Sequence, residues 1–554
     1  MAIKIIFLVV FFAIMLTVGI MCRKSAKSVN GFVLGGRKVG PWLTAFAYGT
    51  SYFSAVIFIG YAGQFGWKFG VSATWIGIGN AIIGSLLAWF LLGRRTRLMT
   101  RHLGASTMPE FFEKRFDSKM LKIVASLIVF IFLIPYTASL YNGLSRLFEI
   151  AFDLPYWVWI AIMAVLTCVY VIAGGYMATA VNDFIQGIIM LIGIVAVIVA
   201  VILSNGGFAE AFGSLAGVTA TPTDGPLYET PGIFASIFGP DPLGLLFVVI
   251  LTSLGTWGLP QMVQKFYSIK SEGDIRKGMI ISTVFAIVVA GGCYFLGGFG
   301  RLYPEALEGG KGFDNIVPTM LAGLNNDFIL SLVLVLVLSA SMSTLSSLVL
   351  TSSSTLVLDL VKDNIVKKMD NKKQLLWVRL FILVFVGISV VIALVQYYAP
   401  SGNEGTAFIA QLMGISWGAL AGAFLAPFLL GLCWKKVTKP AVLVNFIFAV
   451  VVMTVNMFVG KQLGSVNAFF KFMTSPVNLG AVVMLVGFVI VIVVSLFTKK
   501  PDKAVVDNAF ACYSKKVTVA AGAVLSEEET VEAKEGNTQE VAADKVISEE
   551  EKAE

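Results

Sequence analysis

Hydroxyl side chains crowd the end of one apolar run. The stretch SASMSTLSSL, residues 339–348, directly follows ILSLVLVLVL. On a helix, Ala340, Ser343, Thr344 and Ser347 share one face, because residues three and four apart are neighbours. A stripe of neutral oxygens has two interpretations. It is either a small-residue seam on which membrane helices pack closely, or a set of ligands for a bound ion.

An acid lies at the start of another apolar run. Asp183 begins VNDFIQGIIMLIGIVAV. Acids inside membrane segments are rare and are functional by default. Because Asp183 is near the end of its run, snorkelling to water is the alternative interpretation.

A third run holds small polar residues at its centre. The sequence PWLTAFAYGTSYFSAVIFIGYAG contains Gly49, Thr50, Ser51 and Ser54. Such residues permit a break in a helix at membrane depth, where unwound backbone can offer carbonyl oxygens to a cation. Several neutral oxygens suit a monovalent ion such as sodium, since calcium or magnesium would require more carboxylates.

The elements that carry these residues are membrane spans. Of the 554 residues, 57% are hydrophobic and 13% are charged, against about 25% charged in soluble proteins. Apolar runs of about 20 residues cover a bilayer core. The sequence predicts an all-α polytopic membrane protein with about thirteen transmembrane helices, at residues 4–22, 41–65, 72–93, 121–140, 155–173, 181–203, 236–260, 278–300, 328–350, 376–398, 407–433, 438–459 and 477–497.

The basic residues predict an orientation. Most of the 41 Lys and Arg fall in alternate connecting segments, such as 23–40, 94–122 and 362–379. The positive-inside rule therefore places the N-terminus outside and the C-terminus in the cytoplasm of a cell (plasma or inner) membrane. The net charge of +8 reflects this topology, and no nucleic-acid partner is expected. Residues 1–500 are expected to form the transmembrane domain, and the acidic tail 501–554 is expected to be disordered or weakly helical.

The sequence contains no recognisable catalytic motif. His102 is the only histidine, and no HExxH, Ser/His/Asp set or phosphate-binding loop is present in the sequence. We therefore expect no enzyme. A transporter, a channel or a membrane receptor remains.

Four motifs together identify a family resemblance. GGRKVGPW (35–42), STMPEFFEKRF (106–116), GGYMATAVNDFIQG (174–187) and ASMSTLSS (340–347) resemble segments of the sodium/solute symporter family, which includes sodium/proline, sodium/pantothenate, sodium/sialic acid and sodium/sugar symporters. The resemblance covers most of the chain. It implies the broken-helix, five-plus-five inverted-repeat fold of leucine-transporter-like proteins, with repeats roughly at 41–203 and 236–433.

The same resemblance implies sodium sites, with Na⁺ as the coupling ion. Matched residue by residue, the main site consists of the carbonyls of Thr50, Phe53 and Ala340 and the hydroxyls of Ser343 and Thr344.

Some family members bind a second sodium ion. Its ligands match Asp183, Ser343, Ser346 and Ser347. The segment before the acid reads VND here, where the family commonly has WTD. A structural or gating role for Asp183 is therefore the alternative to a second sodium site.

The substrate is less well defined. Sodium/proline members carry a QPH segment where this chain has Leu-Pro-Gln at 259–261, a departure that argues against proline. No Lys or Arg is expected in the central cavity, so a substrate carboxylate would be held by helix N-termini and hydroxyls. By position, the substrate-binding candidates are Ser54, Thr256, Trp257, Gln261 and Gln411.

The predicted function is sodium-coupled secondary active symport by alternating access. The expected partners are a small organic solute (an amino acid, a carboxylate, a vitamin or a similar compound), the sodium ion and the lipid bilayer. Two alternatives stay open. One is a proton-coupled or sodium-independent carrier that uses Asp183. The other is a nutrient-sensing receptor or a channel on the same fold.

Overall fold

The computed structural model describes residues 2–152, 154–219, 228–310, 312–324, 326–362, 365–366, 369–398 and 408–514. These ranges are built from helices and contain no β-strand. The α-helices are Ala2–Met21, Val29–Leu34, Pro41–Tyr52, Ala62–Phe69, Thr74–Gly79, Arg94–His102, Met108–Phe116, Lys119–Phe152, Tyr156–Ser204, Phe208–Ala216, Pro242–Leu254, Pro260–Ser268, Glu272–Ala286, Gly292–Gly297, Ile316–Ala322, Asp327–Thr355, Asn371–Tyr398, Phe408–Cys433, Lys439–Gly464, Ala468–Met473, Pro476–Phe497 and Lys503–Ala511.

Within these ranges, 10 helices are long and apolar enough to cross a membrane, or 11 if one bent pair counts as a span. Two of the 10, Val56–His102 and Tyr156–Ser204, run for 47 and 49 residues, about twice the length that a bilayer requires. Each is interrupted by a glycine, Gly70 or Gly175, with φ of +65° or +55°. Dividing both helices at these glycines, and counting the bent pair as one span, accounts for the thirteen predicted spans.

Gly175 permits the tight turn within the GGYMATA segment. Its backbone (φ +55°, ψ −148°) is favourable only for glycine. A Cβ atom there would lie 2.8 Å from the carbonyl oxygen of Phe32. The chain can therefore reverse between two membrane-spanning halves without a connecting loop.

The hydroxyl-rich segment belongs to helix Asp327–Thr355, hereafter the serine helix. Every residue from Val333 to Thr355 is buried. The helices that pack against the serine helix include Ala2–Met21, Pro41–Tyr52, Lys119–Phe152, Tyr156–Ser204, Pro260–Ser268 and Asn371–Tyr398. It is therefore a central element of the bundle, which explains why its hydroxyls can point in several directions without reaching lipid.

Two spans beside the serine helix are broken. The second span consists of helix Pro41–Tyr52 and a helical segment that resumes at Val56. The seventh span consists of Pro242–Trp257 and Pro260–Ser268, which meet at 43°. Pro260 begins the second half, where its missing N–H is tolerated.

The first residues of the tail are helical. Residues 503–511 form helix Lys503–Ala511, in which Val506, Ala509 and Phe510 are buried. The acidic residues from 515 onwards lie outside the described residues.

A broken span facing a hydroxyl-rich helix

The break in the second span redirects its hydrogen bonds. The N–H groups of Ile57 and Phe58 both donate to the Ser54 carbonyl, at 3.0 Å each. In an uninterrupted helix, the N–H of Ile57 would donate to Phe53. The break therefore takes the regular helical donor away from the Phe53 carbonyl, as a backbone ligand requires.

Four of the five predicted main-site oxygens converge across two elements. The Ser343 hydroxyl lies 3.1 Å from the Thr50 carbonyl oxygen and 3.2 Å from that of Ala340. The Thr344 hydroxyl lies 3.2 Å from the same two oxygens. Phe53, the fifth residue, is buried at the break. Neutral, buried and convergent oxygens fit a monovalent cation, which would accept their lone pairs in place of these hydrogen bonds.

The predicted second site is arranged differently. The Ser346 hydroxyl donates to the Ser343 carbonyl of its own helix at 2.8 Å. The Ser347 hydroxyl lies 2.8 Å from that of Ser51 and accepts a hydrogen bond of 3.0 Å from the Lys265 ammonium. A basic side chain thus occupies the region where none was expected. The sequence analysis expected no Lys or Arg in the central cavity and did not single out Lys265.

Lys265 was missed because it lies just beyond the predicted span 236–260, in a segment that reads as a connecting loop. It lies on helix Pro260–Ser268, the second half of the bent seventh span, and only 2% of its side chain is exposed. The bend carries this half back between the other helices. The signal available in the sequence was the helix-breaking LPQ segment five residues before it.

Asp183 is completely buried, which excludes snorkelling as its explanation. Its Oδ2 atom lies 3.8 Å from the Lys265 ammonium. Neither carboxylate oxygen accepts a hydrogen bond from any residue in the described ranges.

Two of the substrate-binding candidates already have partners. The Thr256 hydroxyl lies 2.9 Å from the Ser253 carbonyl of its own span and 3.3 Å from the Gly84 carbonyl of another, and the Trp257 indole N–H donates to the Ile83 carbonyl at 3.0 Å. Both side chains hold the seventh span to its neighbours. The side chain of Gln411 lies outside the described residues.

Ser54 and Gln261 are buried and lack hydrogen-bond partners within the described part of the chain. Two aromatic residues that the sequence analysis missed share this property, Tyr136 and Trp417. The Tyr136 and Trp417 rings lie 6.0 Å apart. Their only sequence signal is a polar aromatic group within an apolar run. Buried polar groups without partners are costly and mark places where a ligand could satisfy them.

The geometry defines a class of protein. Discontinuous membrane helices with oxygens converging at the break are the architecture of secondary transporters. Residues 32–449 match the sequence profile of the sodium:solute symporter family. The chain belongs to this family, and sodium is the coupling ion that defines it.

Individual relatives agree with this assignment. The sodium/proline symporter of Staphylococcus aureus is 30% identical over 517 residues, which cover 90% of this chain and 93% of the relative. The same protein from strain JH9 is 30% identical over 518 residues, again 90% and 93% of the two chains. The solved outward-open structure of a Na⁺-coupled sialic acid symporter is similar in fold, with a TM-score of 0.67 at 18% identity, covering 90% of this chain and 99% of that one. The predicted all-helical, broken-helix fold is confirmed.

Proposed function

We propose that this protein imports a small organic solute, such as an amino acid or another carboxylate, together with sodium by alternating access. The observation that carries the proposal is the convergence of Thr50, Ala340, Ser343 and Thr344 at distances of 3.1 and 3.2 Å. These residues lie on two separate elements. A sodium ion bound between them would therefore join the second span to the serine helix.

Such a junction couples the ion to the solute. If sodium favours the state in which the two elements are joined, and the solute binds beside the break in that state, each ligand raises the affinity for the other by the same factor. In the expected orientation, sodium enters from outside and leaves into the cytoplasm. A membrane potential of 100 mV contributes about 2.3 kcal/mol per charge moved.

The unpaired polar groups support a solute site beside this junction. Ser54 lies within the break, and Gln261 lies in the first turn of helix Pro260–Ser268. The N-terminus of a helix favours negative charge, so a carboxylate group on the solute suits this location. Tyr136 and Trp417 add two donors and aromatic surface.

The relatives named sodium/proline symporter make proline the first solute to test. The replacement of QPH by LPQ at 259–261 makes other amino acids and small carboxylates the next probes.

A proton-coupled carrier is the second candidate. The observation that favours it is the fully buried Asp183 carboxylate, which accepts no hydrogen bond in the described ranges. A jump in external pH without sodium would drive uptake by such a carrier and would not drive it in the proposed symporter. Counterflow of labelled solute would separate a carrier of either kind from a channel or a receptor.

The decisive variants are Ser343→Ala and Thr344→Ala in proteoliposomes loaded with potassium. Loss of one ligand costs roughly 1–3 kcal/mol. We therefore expect the sodium concentration for half-maximal uptake of labelled proline, or of the probe that replaces it, to rise about fivefold or more. Ser341→Ala is the matched control, since this buried hydroxyl bonds to Val337 of its own helix. Unchanged sodium dependence in both variants would refute the site.

A further inference from the structure

Lys265 contacts two helices other than its own. Its ammonium donates to the Ser347 hydroxyl of the serine helix at 3.0 Å. It lies 3.8 Å from the Asp183 carboxylate of helix Tyr156–Ser204 and 5.2 Å from the ring centroid of Tyr176. A carboxylate, a hydroxyl and an aromatic face are three groups that stabilise a cation.

These contacts coincide with the residues matched to a second sodium site. Asp183 and Ser347 are two of its four matched ligands, and both contact the ammonium. The Ser346 hydroxyl is directed to its own helix at 2.8 Å, and Ser343 faces the main site. The residues present therefore do not fit a second sodium ion while Lys265 stays in place.

The charge balance leads to the same conclusion. A buried carboxylate requires a nearby cation, because membrane and protein interiors penalise an isolated charge. Lys265 supplies that cation and makes the pair neutral. A sodium ion at the same carboxylate would lie within a few ångströms of the ammonium. Repulsion at about 4 Å would weaken its binding by roughly a thousand-fold at an effective dielectric constant near 20.

We propose that Lys265 acts as a tethered cation in the position of a second sodium ion, so that the protein binds a single sodium ion in each transport cycle. The inference deepens the proposed function and rests on the main sodium site described there. A fixed cation keeps Asp183 and the serine helix joined throughout the cycle. Only the ion between Thr50 and Ser343 then enters and leaves.

Counting bound sodium tests this proposal without any solute. Purified full-length protein is titrated with radioactive ²²Na⁺ until binding saturates. We expect one ion per wild-type chain. Lys265→Ala leaves Asp183 without a cation and opens space beside it, so we expect two ions per chain. Lys265→Arg keeps the charge and should still bind one.

The possible outcomes separate the two proposals. Two ions per wild-type chain would overturn the tethered cation and leave the main site intact. No bound ion in the wild type would overturn the main site and the single-ion inference together. A folded Lys265→Ala protein that binds one ion would also overturn the tethered cation. If that variant does not fold, the wild-type count decides.

Discussion

At the scale of single residues, the hydroxyls of the serine helix do two different jobs. Ser339 and Ser341 bond to carbonyls of their own helix, at 2.7 and 2.9 Å, and serve close packing. Ser343 and Thr344 instead reach the Thr50 carbonyl of another span. Periodicity alone could not separate a packing seam from a cation site, because both interpretations need small hydroxyl residues on one face. In the structure, the contacts of Ser339 and Ser341 fit the packing seam, and those of Ser343 and Thr344 support the proposed cation site.

A single substitution at Gln261 tests the proposed solute site. Gln261→Ala removes a buried amide that lacks a partner in the described ranges, so it costs little in the empty protein. If the amide bonds to the solute, its loss should raise KM for uptake about tenfold, equivalent to ~1.4 kcal/mol. The affinity of the solute-free protein for sodium should stay unchanged.

A matched control exists for this variant. Gln374 is also buried, but its amide donates to the Met369 carbonyl at 2.7 Å. It lies near the start of helix Asn371–Tyr398. Gln374→Ala should leave KM unchanged. Equal KM values for wild type and Gln261→Ala would remove Gln261 from the solute site.

At the scale of elements, interruptions of helices place the chemistry. The sequence predicted the break in the second span from its central Gly, Thr and Ser residues. Four of the oxygens matched to the proposed main site converge in the structure. The burial of Lys265 could not be predicted. Counting charges along the chain assigns Lys265 to a connecting loop, whereas only the tertiary structure shows that this segment is buried.

The turn at Gly175 offers a test at this scale. Gly175→Ala would strain a backbone that only glycine adopts readily and would place Cβ 2.8 Å from a carbonyl oxygen. We expect a loss of stability of at least about 1 kcal/mol, seen as a lower midpoint of thermal unfolding in detergent.

Gly387→Ala is the matched control for the turn. Gly387 lies in helix Asn371–Tyr398, and a Cβ atom there would meet nothing within 4 Å. Its replacement by alanine should leave stability unchanged or raise it slightly. An unfolding midpoint for Gly175→Ala at or above that of Gly387→Ala would contradict the role assigned to the turn.

At the scale of the whole molecule, composition predicted the fold class, and the glycine and charge patterns predicted where the spans are divided and connected.

The structure of the tail was less predictable from its sequence. Acidic composition marks residues beyond about 525 as distinct, yet Lys503–Ala511 is helical. The Phe510 ring lies 4.8 Å from the guanidinium carbon of Arg115. Burial lowers the pKa of Arg115 to about 10, so its charge persists at neutral pH. Such tertiary contacts leave no periodic signal in so short a segment.

Coupling between sodium and solute is the central claim, and a thermal-shift screen of the purified protein tests it most directly. Amino acids, vitamins, organic acids and sugars are each added in sodium and again in potassium. A solute at 100 times its dissociation constant stabilises the folded state by about 2.7 kcal/mol. The account predicts at least one solute that raises the unfolding midpoint in sodium alone. A solute that stabilises the protein equally in both salts would contradict coupled binding and return Ser343 and Thr344 to a packing seam.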